Sequence, residues 1–257
     1  QGNVSSVKDQ RNNITHYFID SHDLSDEVSA AQYEREALKI LEEEFQTKDQ
    51  IVLVGGSGMF IDALCFGLDP IPTSESLKKE LQEIAESNEG ISILLEELKN
   101  KDPEYFNSVD KSNTHRIIRA IEAIRLTGEK YSDLRKNKPK NRFFESYKII
   151  INQPREVLYE RINKRVDVMI EEGLVDEVKS VIGFKHLTSM NTVGYKEIFE
   201  FLEKKITLEE SIELIKRNTR RYAKRQLTWF RRDPESLWIT PKSIDDMIAE
   251  IKIFTEL

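Results

Sequence analysis

Apolar residues recur at three- and four-residue intervals along most of this chain, a spacing that predicts helices far more often than strands. Tyr33, Ala37, Leu38 and Leu41 form one such stripe, with Ser29 or Asp26 as the start of the helix. After Pro70 and Pro72, stripes run over Ser74–Glu86, Ile91–Lys99 and Asn113–Thr127, punctuated by Asn88-Glu89-Gly90, Asp102-Pro103 and Gly128. In the last third, Leu158, Ile162, Val166, Met169 and Ile170 mark a helix that begins near Pro154 and ends at Gly173. A short helix over Leu174–Val181 and another leading through Phe201 follow. Three runs break the helical rhythm: His16–Asp20 reads as a short strand or strand end, and Ile51–Val54 and Tyr147–Ile151 as β-rich segments. The unbroken apolar content of Ile51–Val54 suits a parallel sheet covered on both faces. The opening residues 1–13 show no periodicity and read as a loop.

The longest helix is the one the pattern predicts over Thr207–Asp233. Thr207 and Glu210 form a capping box, and Ile212, Ile215, Tyr222 and Leu227 fall at roughly helical spacing up to the break at Asp233-Pro234. From Lys216 to Arg232 it carries eight Lys or Arg and no acid. Arg217, Arg220 or Arg221, and Lys224 lie three or four residues apart and share a face. So many like charges repel unless an anion lies alongside, and phosphate is the natural anion. A solvated helix paired with acids elsewhere is the alternative. Trp229-Phe230, flanked by Gln226 and Arg231-Arg232, favours the first reading, because Arg, Gln and aromatic rings together hold phosphates, read base edges and stack on bases.

A second candidate site is Gly55-Gly56-Ser57-Gly58, between Ile51–Val54 and the apolar run Met59–Leu64. Glycines after a strand let a ligand approach the backbone, and the helix start beyond them favours anions or polar groups. Ser57 would present its hydroxyl at that mouth. A tight turn with no ligand is the competing reading. No Gly-x-x-x-x-Gly-Lys-Ser/Thr phosphate loop occurs in these residues.

Composition narrows the classes. At 257 residues, 39% hydrophobic and 33% charged, the chain is long enough for one core with an insertion or for two small domains. It has no run of about 18 apolar residues, the length a membrane span needs. The lone Cys65 rules out a disulfide framework and fits a reducing cytoplasm, and His16, His22, His115 and His186 have no metal-ligand spacing. The net charge of −7 speaks against nucleic acid only on average. Lys111–Arg142 holds ten Lys or Arg against Glu122, Glu129 and Asp133, so with the long helix there are two basic regions in an acidic chain. In the first, His115, Arg116 and Arg119 form a candidate clamp for phosphates or bases, with ordinary surface salt bridges as the alternative.

Several stretches together resemble one family, the tRNA dimethylallyltransferases (tRNA isopentenyltransferases) of bacterial type. They are Val54–Phe60, Asn113–Ala120, Arg155–Ile162 running on to Arg165-Val166-Asp167, Gly173–Val178, Val193–Glu197 and Tyr222–Arg231, in family order. The resemblance implies a P-loop-type α/β parallel-sheet core, over residues 1–71 and 144–257, with a helical tRNA-binding insertion at 72–143. It implies transfer of a dimethylallyl group from dimethylallyl diphosphate to the exocyclic amine of the adenosine 3′ of the anticodon, with Mg²⁺ as cofactor and a cytoplasmic monomer. Ser57, usually Thr in the family, is the implied contact to the target adenosine. Lys79, which replaces a more usual Arg, is an implied tRNA contact, as are His115, Arg116, Ile117, Ile118 and Arg119. So are Val193, Gly194, Tyr195, Lys196, Glu197 and Ile198, and Gln226, Leu227, Thr228, Trp229, Phe230, Arg231, Arg232 and Asp233. Arg220 and Arg225 are the candidates for holding diphosphate.

The chain departs from the family pattern at its front. The family's first strand, P-loop and Asp-Ser-Arg-Gln motif, whose Asp is the expected general base, have no counterpart in this sequence. The completeness of the other motifs leads to the expectation that the intact protein carries that segment ahead of Gln1. A catalytically inactive tRNA-binding homologue is the alternative; an adenylate isopentenyltransferase ranks lower, since the basic helical insertion would then have no purpose, and the Gln226–Arg231 stretch argues against a P-loop small-molecule kinase.

Overall fold

The computed structural model describes residues 15–255, apart from Asp20, Glu27 and Asn137. It divides into two compact units, one of residues 1–61 with 146–257 and the other of residues 62–145. The loop reading of residues 1–13 lies outside the described residues.

In chain order the first unit opens with α1 (Ala30–Glu44) and reaches the start of α2 (Gly58–Phe66), within which the division falls. Ser29 caps α1, its Oγ accepting from the Gln32 amide at 3.1 Å. His16–Ile19 is not a strand; Phe18 there adopts a φ of 62°. Ile51–Val54 also forms no ladder, and Val52 and Val54 are 83% and 87% exposed. The apolar pattern is that of a two-faced sheet strand, but among the described residues no strand pairs with it, and the face carrying Val52 and Val54 is left open.

The second unit is helical. It contains α3 (Glu75–Glu86), α4 (Gly90–Lys101), α5 (Pro103–Ser108), α6 (Thr114–Thr127) and α7 (Tyr131–Leu134). Leu81, Leu94, Leu98, Ile117 and Ile121 meet in its core, each fully buried. Caps set the boundaries: Ser74 for α3, Asn113 for α6, and Gly128 at φ 74° where α6 stops. Asp102-Pro103 is the expected break, ending α4 at Lys101, and it also starts α5. Asp102 caps it by accepting from the Tyr105 amide at 3.0 Å, and Pro103 occupies the first helical position, where a missing N–H costs nothing. The same buried carboxylate accepts from the Ser132 amide at 2.7 Å and fixes α7.

The first unit resumes with β1 (Ile149–Ile151), α8 (Arg155–Glu171), α9 (Leu174–Ser180), α10 (Tyr195–Leu202), α11 (Leu208–Phe230), β2 (Leu237–Ile239) and α12 (Ile244–Thr255). β1 and β2 pair in parallel, Ile150 opposite Trp238. Val166, Val178, Met190, Ile198, Phe199 and Ile215 form the core that ties α8, α9, α10 and α11 together. Gly173, at φ 100°, makes the turn between α8 and α9. The fold is therefore mixed, mostly helical with a small parallel sheet.

Candidate RNA-binding site

The capping box at the start of α11 is formed in both directions: the Thr207 amide donates to Glu210 Oε2 at 2.8 Å and the Glu210 amide to Thr207 Oγ1 at 3.2 Å. From that fixed start, Ile215, Ala223 and Phe230 turn inward, and Arg217, Arg221, Lys224, Arg225, Thr228 and Arg231 turn to solvent. Tyr222, expected on the apolar stripe, is exposed, and Ala223 takes the buried position beside it.

The cations of α11 divide into two groups. Lys216 pairs with Asp167 of α8 at 2.8 Å, which raises its pKa. Arg220 Nη1 donates to Asn163 Oδ1, also on α8, at 2.6 Å. Arg221 and Arg225, one turn apart, instead line a cavity of about 260 Å³ together with Val193, Lys196, Glu197 and Asn218. The structure thus does not bring Arg220 and Arg225 to one site. Five residues at about 100° each place them about 140° apart around the helix axis.

The other wall of that cavity is the turn into α10. Gly194 takes φ 103° and ψ −59°, a conformation L side chains rarely adopt. Its amide donates to Glu197 Oε2 at 2.7 Å, and Asn218 Nδ2 of α11 donates to Glu197 Oε1 at 2.7 Å. The buried Glu197 therefore joins the Gly194 turn to the long helix. Tyr195 points away from the cavity lining and gives its hydroxyl to Glu177 Oε1; burial first, and then that bond, push its pKa up to about 12. Ile198 is wholly buried in the core and cannot present its side chain to RNA.

At the far end of α11 the helix meets the glycine loop. Gln226 Nε2 donates to the Gly56 carbonyl at 2.7 Å. A Cβ on Gly58 would collide with the rigid Trp229 indole, and one on Gly56 would meet the Gln226 amide and force that side chain to shift, so the loop approaches α11 closely at both glycines. Ser57, between them, is exposed at the start of α2. The Arg232 guanidinium lies 3.7 Å from the Trp229 ring centroid, and that of Arg231 6.0 Å from the Trp238 ring centroid. Leu227 is half-buried and Phe230 buried, while Thr228 is exposed. Asp233 is held by Lys148 at 2.8 Å, the main cause of its lowered pKa.

In the helical unit, His115 and Arg116 are exposed at the first turn of α6, and Lys79 is exposed on α3. Ile117 and Ile118 are 0% and 6% exposed and belong to the core, so their contribution is to hold the helix. Arg119 is committed internally. It donates to the carbonyls of Pro72 at 2.8 Å and Ile71 at 2.9 Å and to Glu122 Oε2 at 2.7 Å. Glu122 Oε1 in turn accepts from the Ser74 amide at 2.8 Å, so the pair anchors the entry to α3.

Sequence reasoning missed Asn163, Asn218 and Glu177. Asn218 had a signal: it is the one amide between Arg217 and Arg221 in a run of cations. Among the described residues no group of three or more His, Cys, Asp or Glu side chains is placed to hold a metal ion by itself. No helix among them is long and apolar enough to cross a membrane.

A family model described as IPP transferase matches residues 5–233. The chain belongs to that family. The tRNA dimethylallyltransferase 1 of Bacteroides thetaiotaomicron is 42% identical over 252 residues, covering 98% of this chain and 82% of that protein. The protein of the same name from Phocaeicola vulgatus is 43% identical over 250 residues, covering 97% of this chain and 83% of its own length. Among solved structures, the full-length tRNA isopentenylpyrophosphate transferase of Bacillus halodurans is 35% identical, with a TM-score of 0.66 over 96% of this chain and 79% of that one. The glycine loop, the Gly194 turn and α11 thus belong to an IPP transferase family member.

Proposed function

We propose that this chain transfers a dimethylallyl group from dimethylallyl diphosphate to the exocyclic amine of the adenosine 3′-adjacent to the anticodon of tRNA. The observation that carries the reading is the fit of Gly56 and Gly58 against Gln226 and Trp229, in a chain over 40% identical to tRNA dimethylallyltransferases along nearly its whole length. That fit puts an exposed hydroxyl, an indole and a row of guanidinium groups within one unit.

The chemistry makes use of each. An adenine amine is a weak nucleophile, so most of the barrier is lowered by holding it in line with the prenyl carbon in a site cleared of water. Extracting the base from the loop costs a few kcal/mol, which cationic and stacking contacts must offset. In this reading Ser57 donates or accepts a hydrogen bond at the target adenosine, Gln226 keeps the loop against α11, and Arg225 stabilises phosphate charge. Val193, Gly194, Lys196 and the Gln226–Arg232 stretch serve the tRNA, with Lys79, His115 and Arg116 reaching it from the helical unit. Arg119, Glu197 and Asp233 act through the positions they fix.

The fuller form of the proposal is a P-loop-type core over 1–71 and 144–257 with an anticodon-gripping insertion at 72–143, working as a monomer in the cytoplasm. Mg²⁺ would assist the leaving diphosphate.

The test is transfer of label from dimethylallyl diphosphate to an anticodon stem-loop with adenosine 3′ of the anticodon, with Ser57→Ala measured beside the parent. We expect transfer by the parent protein and a rate in Ser57→Ala reduced more than its RNA affinity. Stem-loop binding without transfer would identify an inactive RNA-binding homologue. Loss of binding alone in Ser57→Ala would remove Ser57 from the reacting site.

A further inference from the structure

The cavity between the Gly194 turn and α11 combines three cations with a carboxylate that pairs with none of them. Lys196 comes from α10, and Arg221 and Arg225 come from successive turns of α11. The Glu197 carboxylate accepts instead from two neutral donors, the Gly194 amide and Asn218 Nδ2, each at 2.7 Å. Elsewhere on the same helix, Lys216 is neutralised by Asp167. Among the described residues, Lys196, Arg221 and Arg225 form no ion pair; Arg225 lies 5.6 Å from the centroid of the Tyr222 ring, a contact that leaves its charge in place. Three like charges held around one hollow repel one another, and the arrangement becomes favourable when an anion enters.

Size and donor chemistry select the anion. The volume of about 260 Å³ is below the roughly 300–1,000 Å³ of pockets that enclose a drug-sized ligand, which suits a phosphate group rather than a whole nucleoside. The Arg221 and Arg225 guanidinium groups offer planar paired N–H donors for phosphate oxygens, and Asn191 adds an amide at the rim.

We propose that Lys196, Arg221 and Arg225 form a phosphate subsite, with Glu197 as the positioning residue that holds its two walls together. This inference rests on the prenyl-transfer reading for the source of the phosphate, which is either the diphosphate leaving group or the RNA backbone. Through Gly194 and Asn218, Glu197 fixes Lys196 relative to the two arginines. Its remaining charge reduces the pocket to a net charge of about +2, which lets a product anion depart.

The test is calorimetric binding of two probes, inorganic diphosphate and an anticodon stem-loop, to the parent protein and to Arg221→Ala and Lys196→Ala, which alter different elements. Lys252→Ala, exposed on α12, controls for loss of one charge. About tenfold weaker diphosphate binding in both pocket variants assigns the subsite to the leaving group. About tenfold weaker stem-loop binding, with a salt slope reduced by about one, assigns it to the RNA backbone. Parent-like binding of both probes, or an equal loss in Lys252→Ala, overturns the subsite. Glu197→Gln should bind at least as tightly as the parent, because Asn218 can turn its carbonyl toward the new amide and the opposing charge is gone, and Glu197→Ala should bind more weakly than the parent; equal binding in both overturns the positioning role. If the parent binds diphosphate in a pocket-dependent way but transfers no prenyl group, the activity reading fails and the subsite stands. If it transfers normally and the pocket variants bind normally, the reverse holds.

Discussion

Helices α6 and α11 carry the same kind of charge and put it to different uses. On α6, Arg119 is held by Glu122 and by two backbone carbonyls, and Arg125 is held by Glu97 at 2.7 Å and Glu80 at 3.2 Å. The hydrogen bond to Glu97 is the leading reason the Arg125 pKa is raised. On α11, Lys216 is neutralised and Arg220 is tied to an amide, while Arg217, Arg221 and Arg225 face cavities or solvent with no carboxylate partner among the described residues. The lesson is that a run of Lys and Arg is not a binding surface by itself. What matters is whether the fold brings acids to it, and here α3 and α4 supply acids to α6 while most of α11 is left without them.

Removing an acid from α6 should show how much its stability depends on that supply. Glu122→Ala deletes a buried carboxylate that accepts from both Arg119 and the Ser74 amide, and we expect a loss of about 3 kcal/mol, read as an earlier denaturant midpoint. A midpoint within about 0.5 kcal/mol of the parent would mean that the network does not hold the entry to α3.

Supplying an acid to α11 is the converse experiment. Tyr222 is exposed three residues before Arg225, so Tyr222→Glu places a carboxylate on the neighbouring turn. Stem-loop affinity should fall roughly threefold to tenfold with the melting temperature nearly unchanged. Unchanged affinity would show that Arg225 is not an RNA contact.

The smallest effect concerns an acid consumed by a neutral donor. Glu177 accepts from the Tyr195 hydroxyl, and burial together with this bond raises the phenol to about 12 from 10.0. A raised folded-state pKa means that the contribution to stability is complete below pH 10 and is lost as pH climbs toward 12. Burial also raises the Tyr105 phenol, so phenolate absorbance should show a late-titrating tyrosine beyond Tyr105 that is missing from Tyr195→Phe. An identical titration curve in the two proteins would contradict the buried bond.

Much of this architecture was legible because short-range chemistry sets it. Ser29, Ser74, Asn113 and Thr207 announce helix starts, and Gly128 and Gly173 announce their ends. Asp102-Pro103 is legible as the end of α4, but α5 after it is not, because the same dipeptide that ends one helix can cap and open the next. β2 went unseen, since three residues, Leu237–Ile239, leave no period to detect. The fate of Arg119 was out of reach for a different reason: its carbonyl partners lie 47 and 48 residues away in sequence. The same holds for Arg220, whose partner Asn163 is 57 residues distant. Motif resemblance could mark such positions as candidates, but only tertiary contacts decide which cations stay available.

The salt dependence of stem-loop binding tests that division most directly. Affinity would be measured from low to moderate salt for the parent, for the α11 variant Arg217→Ala with Arg221→Ala, and for Arg125→Ala on α6. The account predicts that the logarithmic slope falls by roughly 1.4–1.8 in the α11 variant, the value for two lost phosphate contacts, and stays at the parent value in Arg125→Ala. An unchanged slope in the α11 variant, or an equal fall in Arg125→Ala, would contradict the claim that α11 carries the RNA-binding charge.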